Sequence, residues 1–147
     1  NYIMKVKVND KLYFATIKKI DEISRQEAGL DKAGSYYECR IGLGLNPCGK
    51  CVFAVDHVLV DTIVVQSIDA VDDDSAMAII KLIKKYCLEK LIMDLTVKPE
   101  DSESKFKDVY LSSGFEYDDT EKEYTWAVYL DEEIDNDDSV IDFAVKE

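Results

Sequence analysis

The chain has 147 residues, of which 47% are hydrophobic and 33% charged, and its formal net charge is −13. That length is the usual size of one domain and is enough to bury a core without disulfides or metals. A surface this acidic repels phosphate backbones and excludes ordinary nucleic-acid binding; it suits a basic protein partner, an amine substrate, or solubility alone. No apolar run approaches the roughly 20 residues of a membrane helix. The opening Asn1-Tyr2-Ile3-Met4-Lys5 lacks a charged region followed by a long apolar one, so the expectation is a cytoplasmic protein without membrane contact. In that reducing compartment Cys39, Cys48, Cys51 and Cys87 are expected as free thiols.

Met4 to Val8 alternate apolar and charged residues, as a half-buried strand does. Asn9-Asp10 is a turn signal and Leu12 to Ile17 a second strand. Asp21 opens a helix that ends near Gly29, and Asp31 to Ser35 is a loop. Tyr36 to Leu45 is β-rich, Asn46 to Lys50 reads as a turn by composition, and Cys51 to Val55 and Leu59 to Ile68 read as two strands broken near Asp56-His57.

Asp72-Asp73-Asp74-Ser75 precedes a clear helix. Ala76, Ile79, Ile80, Ile83 and Cys87 fall on one stripe, with Lys81, Lys84, Lys85 and Glu89 opposite. The aspartates suit the helix N-terminus and the lysines its far end. Leu91 to Val97 follows as a short strand, in the manner of a helix returning to a sheet. Pro99, Glu100 and Asp101 open another helix through Phe106, Val109, Tyr110 and Leu111, closed by Gly114. After the turn Asp118-Asp119-Thr120, Tyr124 to Leu130 is a β-prone strand. Residues 4–130 are expected as one domain and 131–147 as an acidic tail, within which the apolar Ile141 to Val145 can still dock.

From Leu59 the order is strand, loop, amphipathic helix, strand, helix, Gly-Phe, strand, strand. With Val109-Tyr110-Leu111-Ser112-Ser113-Gly114-Phe115, where a tyrosine lies four residues before Gly-Phe, and with the preceding Leu91 to Val97, it resembles the core of the GCN5-related N-acetyltransferase (GNAT) family. The resemblance covers roughly Leu59 to Leu130 and implies an α+β fold, a mixed central sheet flanked by helices. It further implies an acyl-CoA-dependent N-acetyltransferase acting on an amine, with acetyl-CoA as cofactor. The alternative is a catalytically inactive GNAT-like domain that binds a basic protein or a small ligand; a third reading is an acidic mimic of nucleic acid.

The resemblance places the coenzyme A pyrophosphate at the loop Val71-Asp72-Asp73-Asp74-Ser75-Ala76, and the backbone of Asp74, Ser75, Ala76 and Met77 at the anion. Helix N-terminal amides bind anions, but this loop has neither the glycines nor the basic residue of the family pattern. At an effective dielectric near 20, each close like-charge pair costs on the order of a few kcal/mol before screening. The same aspartates are good capping residues. Tyr110 matches the family's general acid toward the departing thiolate; its structural reading is an aromatic on the inner face of its helix. Where the family often has a glutamate base, this chain has Gln66 and Asp69. Asp69 takes that role only with a raised pKa.

Other constellations carry less. Cys48-Gly49-Lys50-Cys51 is one CxxC without a partnering pair, so no metal site is expected. His57 neighbours Asp56, but adjacent strand residues point to opposite faces. The Gly-x-Gly at Gly42 and Gly44 does not open a helix.

Overall fold

In a computed structural model, the described residues are 2–22, 35–55, 62–66, 68–99, 104–128 and 139–145. Most of the helix expected from Asp21, the pair Asp56-His57 and the residues just after Pro99 lie outside them.

The strands are β1 (Tyr2–Val8), β2 (Lys11–Lys19), β3 (Ser35–Leu43), β4 (Asn46–Val55), β5 (Thr62–Val65), β6 (Asp69–Ala70), β7 (Asp94–Val97), β8 (Glu116–Asp118), β9 (Glu123–Ala127) and β10 (Val140–Val145). The described helices are α1 (Asp73–Lys90) and α2 (Lys107–Ser112). All the strands join one mixed sheet in the order β10-β1-β2-β3-β4-β5-β7-β9-β8, with β6 alongside β4. Among the described residues only β5 and β7 pair in parallel, and α1 is the crossover that a parallel pair needs.

One face of the sheet packs on the helices. Met4, Val6, Tyr13, Ala15, Ile17, Cys39, Cys51, Phe53, Ile63, Val65, Leu95 and Val97 are buried there, at the alternate positions a pleated strand turns one way. Onto them α1 lays Ala76, Ile79, Ile80, Leu82, Ile83, Tyr86 and Cys87, all buried. Tyr37, Phe53 and Tyr86 tie strand and helix together, with ring centroids 5.3 to 5.9 Å apart. Leu91, left-handed at φ 56°, closes α1, and its amide and that of Ile92 reach back to Leu88 and Cys87. β7 therefore starts at Asp94, three residues later than the apolar pattern predicts.

Two further differences have local causes. Asn46 to Lys50 is not a turn: β4 begins at Asn46, and the reversal falls on Gly44 and Leu45, with Gly44 at φ 60°. Pro47 is accommodated beside a bulge, where the register moves from Ile41↔Gly49 to Gly42↔Pro47, the place in a sheet that tolerates proline. α2 is shorter than expected and begins at Lys107. The docking allowed for Ile141 to Val145 is seen beyond the acidic stretch. Residues 131–138 lie outside the described ones, while Val140–Val145 pair antiparallel with β1. A strand beside an open sheet edge satisfies that edge's backbone groups, so the described sheet extends past residue 130.

Truncating Ile83, fully buried in α1, to Ala is expected to cost about 2–5 kcal/mol. Urea unfolding followed by far-UV circular dichroism checks this through the midpoint.

Candidate functional site

The two parallel strands hold together over Thr62↔Asp94 to Val65↔Val97 and one bond more, from the Lys98 amide to the Val65 carbonyl at 2.8 Å. Beyond that point the first of them follows β4 alone. The Gln66 amide donates to the Val52 carbonyl at 2.8 Å, Asp69 and Ala70 pair with Lys50 and Gly49, and the Val71 amide donates to the Cys48 carbonyl at 2.9 Å. Between Phe53↔Val65 and Lys50↔Asp69 the register slips by one residue, which is a bulge. On the other side the next residue after Lys98 is Pro99, which has no amide to continue the ladder. Among the described residues β6 has no strand partner where β7 would lie, so the pairing of the parallel strands ends here.

The parted strand leads into α1. Asp72, extended at φ −158°, is the N-cap: its Oδ1 accepts the Ser75 amide at 2.8 Å, and its carbonyl accepts the Ala76 amide at 3.1 Å. Asp74 turns sideways to the β1–β2 reversal, accepting from Asn9 Nδ2 at 2.9 Å and pairing with Lys11 Nζ at 3.0 Å. Asn9 and Asp10 hold that reversal with left-handed φ values of 47° and 67°. Asp74 raises the Lys11 pKa by hydrogen bond and charge. Ser75 lies beneath, fully buried, with its hydroxyl near enough to Asp72 and Tyr13 to influence both but in hydrogen-bond geometry with neither. Burial pushes the Tyr13 phenol up. The Ser75 hydroxyl and then the Ser75 amide hold the Asp72 carboxyl below its ordinary value. Of the predicted phosphate-site residues, Asp74 is thus paired, the Ser75 and Ala76 amides are bonded to Asp72, and Met77 is half-buried with its sulfur receiving the Ser113 hydroxyl at 3.3 Å.

Tyr110 and Asp69 stand apart. Tyr110 is fully buried on α2, its ring 4.8 Å from Tyr124 and 6.2 Å from Phe115. Tyr124 is registered with Val97, Val97 with Val65 and Val65 with Phe53, and Phe53 touches Tyr86 of α1; Tyr110 therefore lies on the helix-covered face. The neighbours of Asp69 differ: Ala70 is buried and lies against Gly49 beside Ile79, so Asp69 projects from the opposite face, exposed. The two residues meet a common ligand only if it passes between the parted strands. Gln66 is half-buried. Near Tyr110, Lys84 donates to the Ser113 carbonyl at the end of α2, which ties α2 to α1, and lies 4.7 Å from the Trp126 ring centroid, a cation–π contact that ties α1 to β9. Neither Lys84 nor Trp126 stands out in the sequence, because the two are 42 positions apart.

The cysteines pair differently from the CxxC spacing. Cys51 lies directly opposite Cys39 on β3, and the Cys39 hydrogen bond, reinforced by burial, pushes the Cys51 thiol well up. Cys48 falls at the bulge without a partner on β3, and its thiol donates to the Asn46 carbonyl at 3.3 Å. Burial raises the Cys87 thiol to about 12. Among the described residues no group of three or more metal-ligating side chains converges.

No protein-family model matches the chain, and no curated protein does. The architecture is the GNAT fold: a mixed sheet, two strands that part, and a helix starting at the parting. A solved structure it resembles is the PaiA N-acetyltransferase of Thermoplasma acidophilum in complex with coenzyme A, with a TM-score of 0.50 and 14% identity over 71% of this chain. The likeness spans 64% of that protein's length and is one of fold. Among the described residues no helix is long and apolar enough to cross a membrane.

Two outcomes test this geometry. Asp72→Ala is expected to lower stability by about 1 kcal/mol at neutral pH, the usual worth of an N-cap. Because the folded-state pKa of Asp72 is lowered, its contribution is complete above the ordinary carboxylate range and is lost as pH falls through the lowered value. The gap between wild type and variant in urea midpoint is therefore expected to close as pH drops below about 4. Oxidation is expected to join Cys39 to Cys51 rather than Cys48 to Cys51, and to do so slowly because the Cys51 thiol is held protonated; peptide mapping of protein treated with diamide under partly denaturing conditions reads the pairing.

Proposed function

We propose that this chain is a divergent N-acyltransferase-fold domain that binds an amine-bearing ligand and has closed the cradle through which the fold holds coenzyme A. The observation that carries the reading is the first turn of α1. A coenzyme A diphosphate needs free amides and close backbone approach at a helix N-terminus. Here the Ser75 amide, which an ordinary helix leaves open, is capped by the Asp72 side chain. Asp74 is fastened to Asn9 and Lys11, and Asp73 adds a third carboxylate. A phosphate entering there displaces a cap worth about 1 kcal/mol and meets like charge in place of an arginine. The residues present do not fit the diphosphate. The net charge of −13 favours an ammonium-bearing ligand or a basic protein, and disfavours nucleic acid.

The second reading, acyl transfer from acetyl-CoA to an amine, is favoured by the parting of β5 and β7 beyond Val65 and Lys98. It draws further support from the likeness in fold to an acetyltransferase solved with coenzyme A. In that reading Tyr110 must first be uncovered, since its ring is packed between Tyr124 and Phe115, and Asp69 must receive the amine's proton on the opposite face.

Titration calorimetry with acetyl-CoA separates the two. Affinity weaker than about millimolar is expected for the unmodified chain, rising when Asp72→Arg and Asp74→Gly are introduced together. Micromolar affinity in the unmodified chain, with acetyl transfer to an amine, would replace the first reading with the second.

A further inference from the structure

The sheet face turned away from α1 carries a cavity of about 660 Å³, within the range of small-ligand sites. Two rows of cross-strand neighbours cross it. In the first, Phe14 lies opposite Gly42 and Gly42 opposite Pro47. A Cβ at Gly42 would come within 2.9 Å of the Asn46 carbonyl oxygen, so the position holds glycine and the floor between ring and proline stays bare. Leu45, fully exposed, and Val71, 71% exposed, add apolar walls. Four apolar side chains stand around one hollow.

The second row is polar: Thr16, Arg40, Lys50 and Asp69, each directly opposite the next. Arg40 is turned along its own strand onto Glu38, with the Nη2 contact at 3.3 Å. Lys50 and Asp69 sit opposite each other, at a separation where unlike charges ordinarily attract. Both are exposed, and the ion pairs among the described residues include neither. An ammonium and a carboxylate thus stand side by side, unjoined, at the edge of an apolar trough. A cation alone would satisfy Asp69 and an anion alone Lys50. A ligand with both charges on one carbon satisfies the two together, and an apolar substituent fills the hollow beside Phe14, Leu45 and Pro47.

The geometry points to a binding site for a free α-amino acid with a large apolar side chain, its ammonium on Asp69 and its carboxylate on Lys50. This names the amine-bearing ligand of the reading above and rests on it. Titration calorimetry with L-phenylalanine, phenethylamine and N-acetylphenylalanine tests it in the full chain. Saturable one-to-one binding of phenylalanine is expected, with both analogues weaker by about tenfold or more, the usual cost of losing a charged hydrogen bond. Lys50→Met is expected to abolish the advantage of phenylalanine over phenethylamine, and Asp69→Asn that over N-acetylphenylalanine. Both positions are exposed, so the variants are expected to fold, and circular dichroism verifies it. Phenethylamine binding as well as phenylalanine, indifferent to Lys50→Met, overturns the amino-acid assignment while leaving an amine ligand in place. No saturable binding of any of the three at millimolar concentration overturns the site itself, and failure of a lysine-rich peptide to bind as well then removes the broader reading.

Discussion

Burial of α1 against the sheet is the constraint on which the rest of the structure depends. Its inner face is nearly continuous, from Ala76 through Ile79, Ile80, Leu82 and Ile83 to Cys87, and it meets the strands at Phe53 and Tyr37 through Tyr86. A helix pinned along that length has both ends fixed. Its C-terminus must release the chain through Leu91 and Ile92 into β7, parallel to β5. Its N-terminus must sit where β6 ends. The parting of the parallel strands follows from this anchoring and from a one-residue bulge that keeps β6 on β4.

The same anchoring explains why the first turn of α1 has partners of its own. Four amides at a helix start lack intrahelical acceptors, and in a fold that binds a diphosphate there the ligand supplies them. In this chain Asp72 supplies one, and Asp74 reaches across to the β1–β2 reversal, where Asn9 and Lys11 wait. The helix thereby gains stability from residues that oppose an anion. Capping and anion binding compete for the same backbone groups, so improving one weakens the other.

A division between the two sheet faces accompanies this. The helix-covered face is apolar and holds Tyr110, Tyr124, Phe115 and Trp126 in one aromatic layer. The opposite face presents the row from Thr16 to Asp69 and the hollow at Gly42. Asp69 belongs to the second face because the one-residue slip between Val65 and Asp69 resets the alternation of the strand. A carboxylate one register position away would point into the core, where its charge is costly.

Much of the architecture is legible in the residues alone. The Ala76–Cys87 stripe announces α1, the aspartates before it announce its cap, the alternation at Met4–Val8 announces a half-buried strand, and the β-prone run from Tyr124 announces another. These are local signals, set by period and by the chemistry of one turn. Asn46-Pro47 misleads because its turn-like composition serves a bulge, and only the strand opposite reveals that. Pairings across the chain are likewise decided by the tertiary structure: Cys39 with Cys51, Asp74 with Lys11, Lys50 with Asp69, and Val140–Val145 with the edge of β1. Each depends on strand register, and register is fixed by how the whole sheet packs under α1, a sum over distant apolar contacts that no short window of sequence contains.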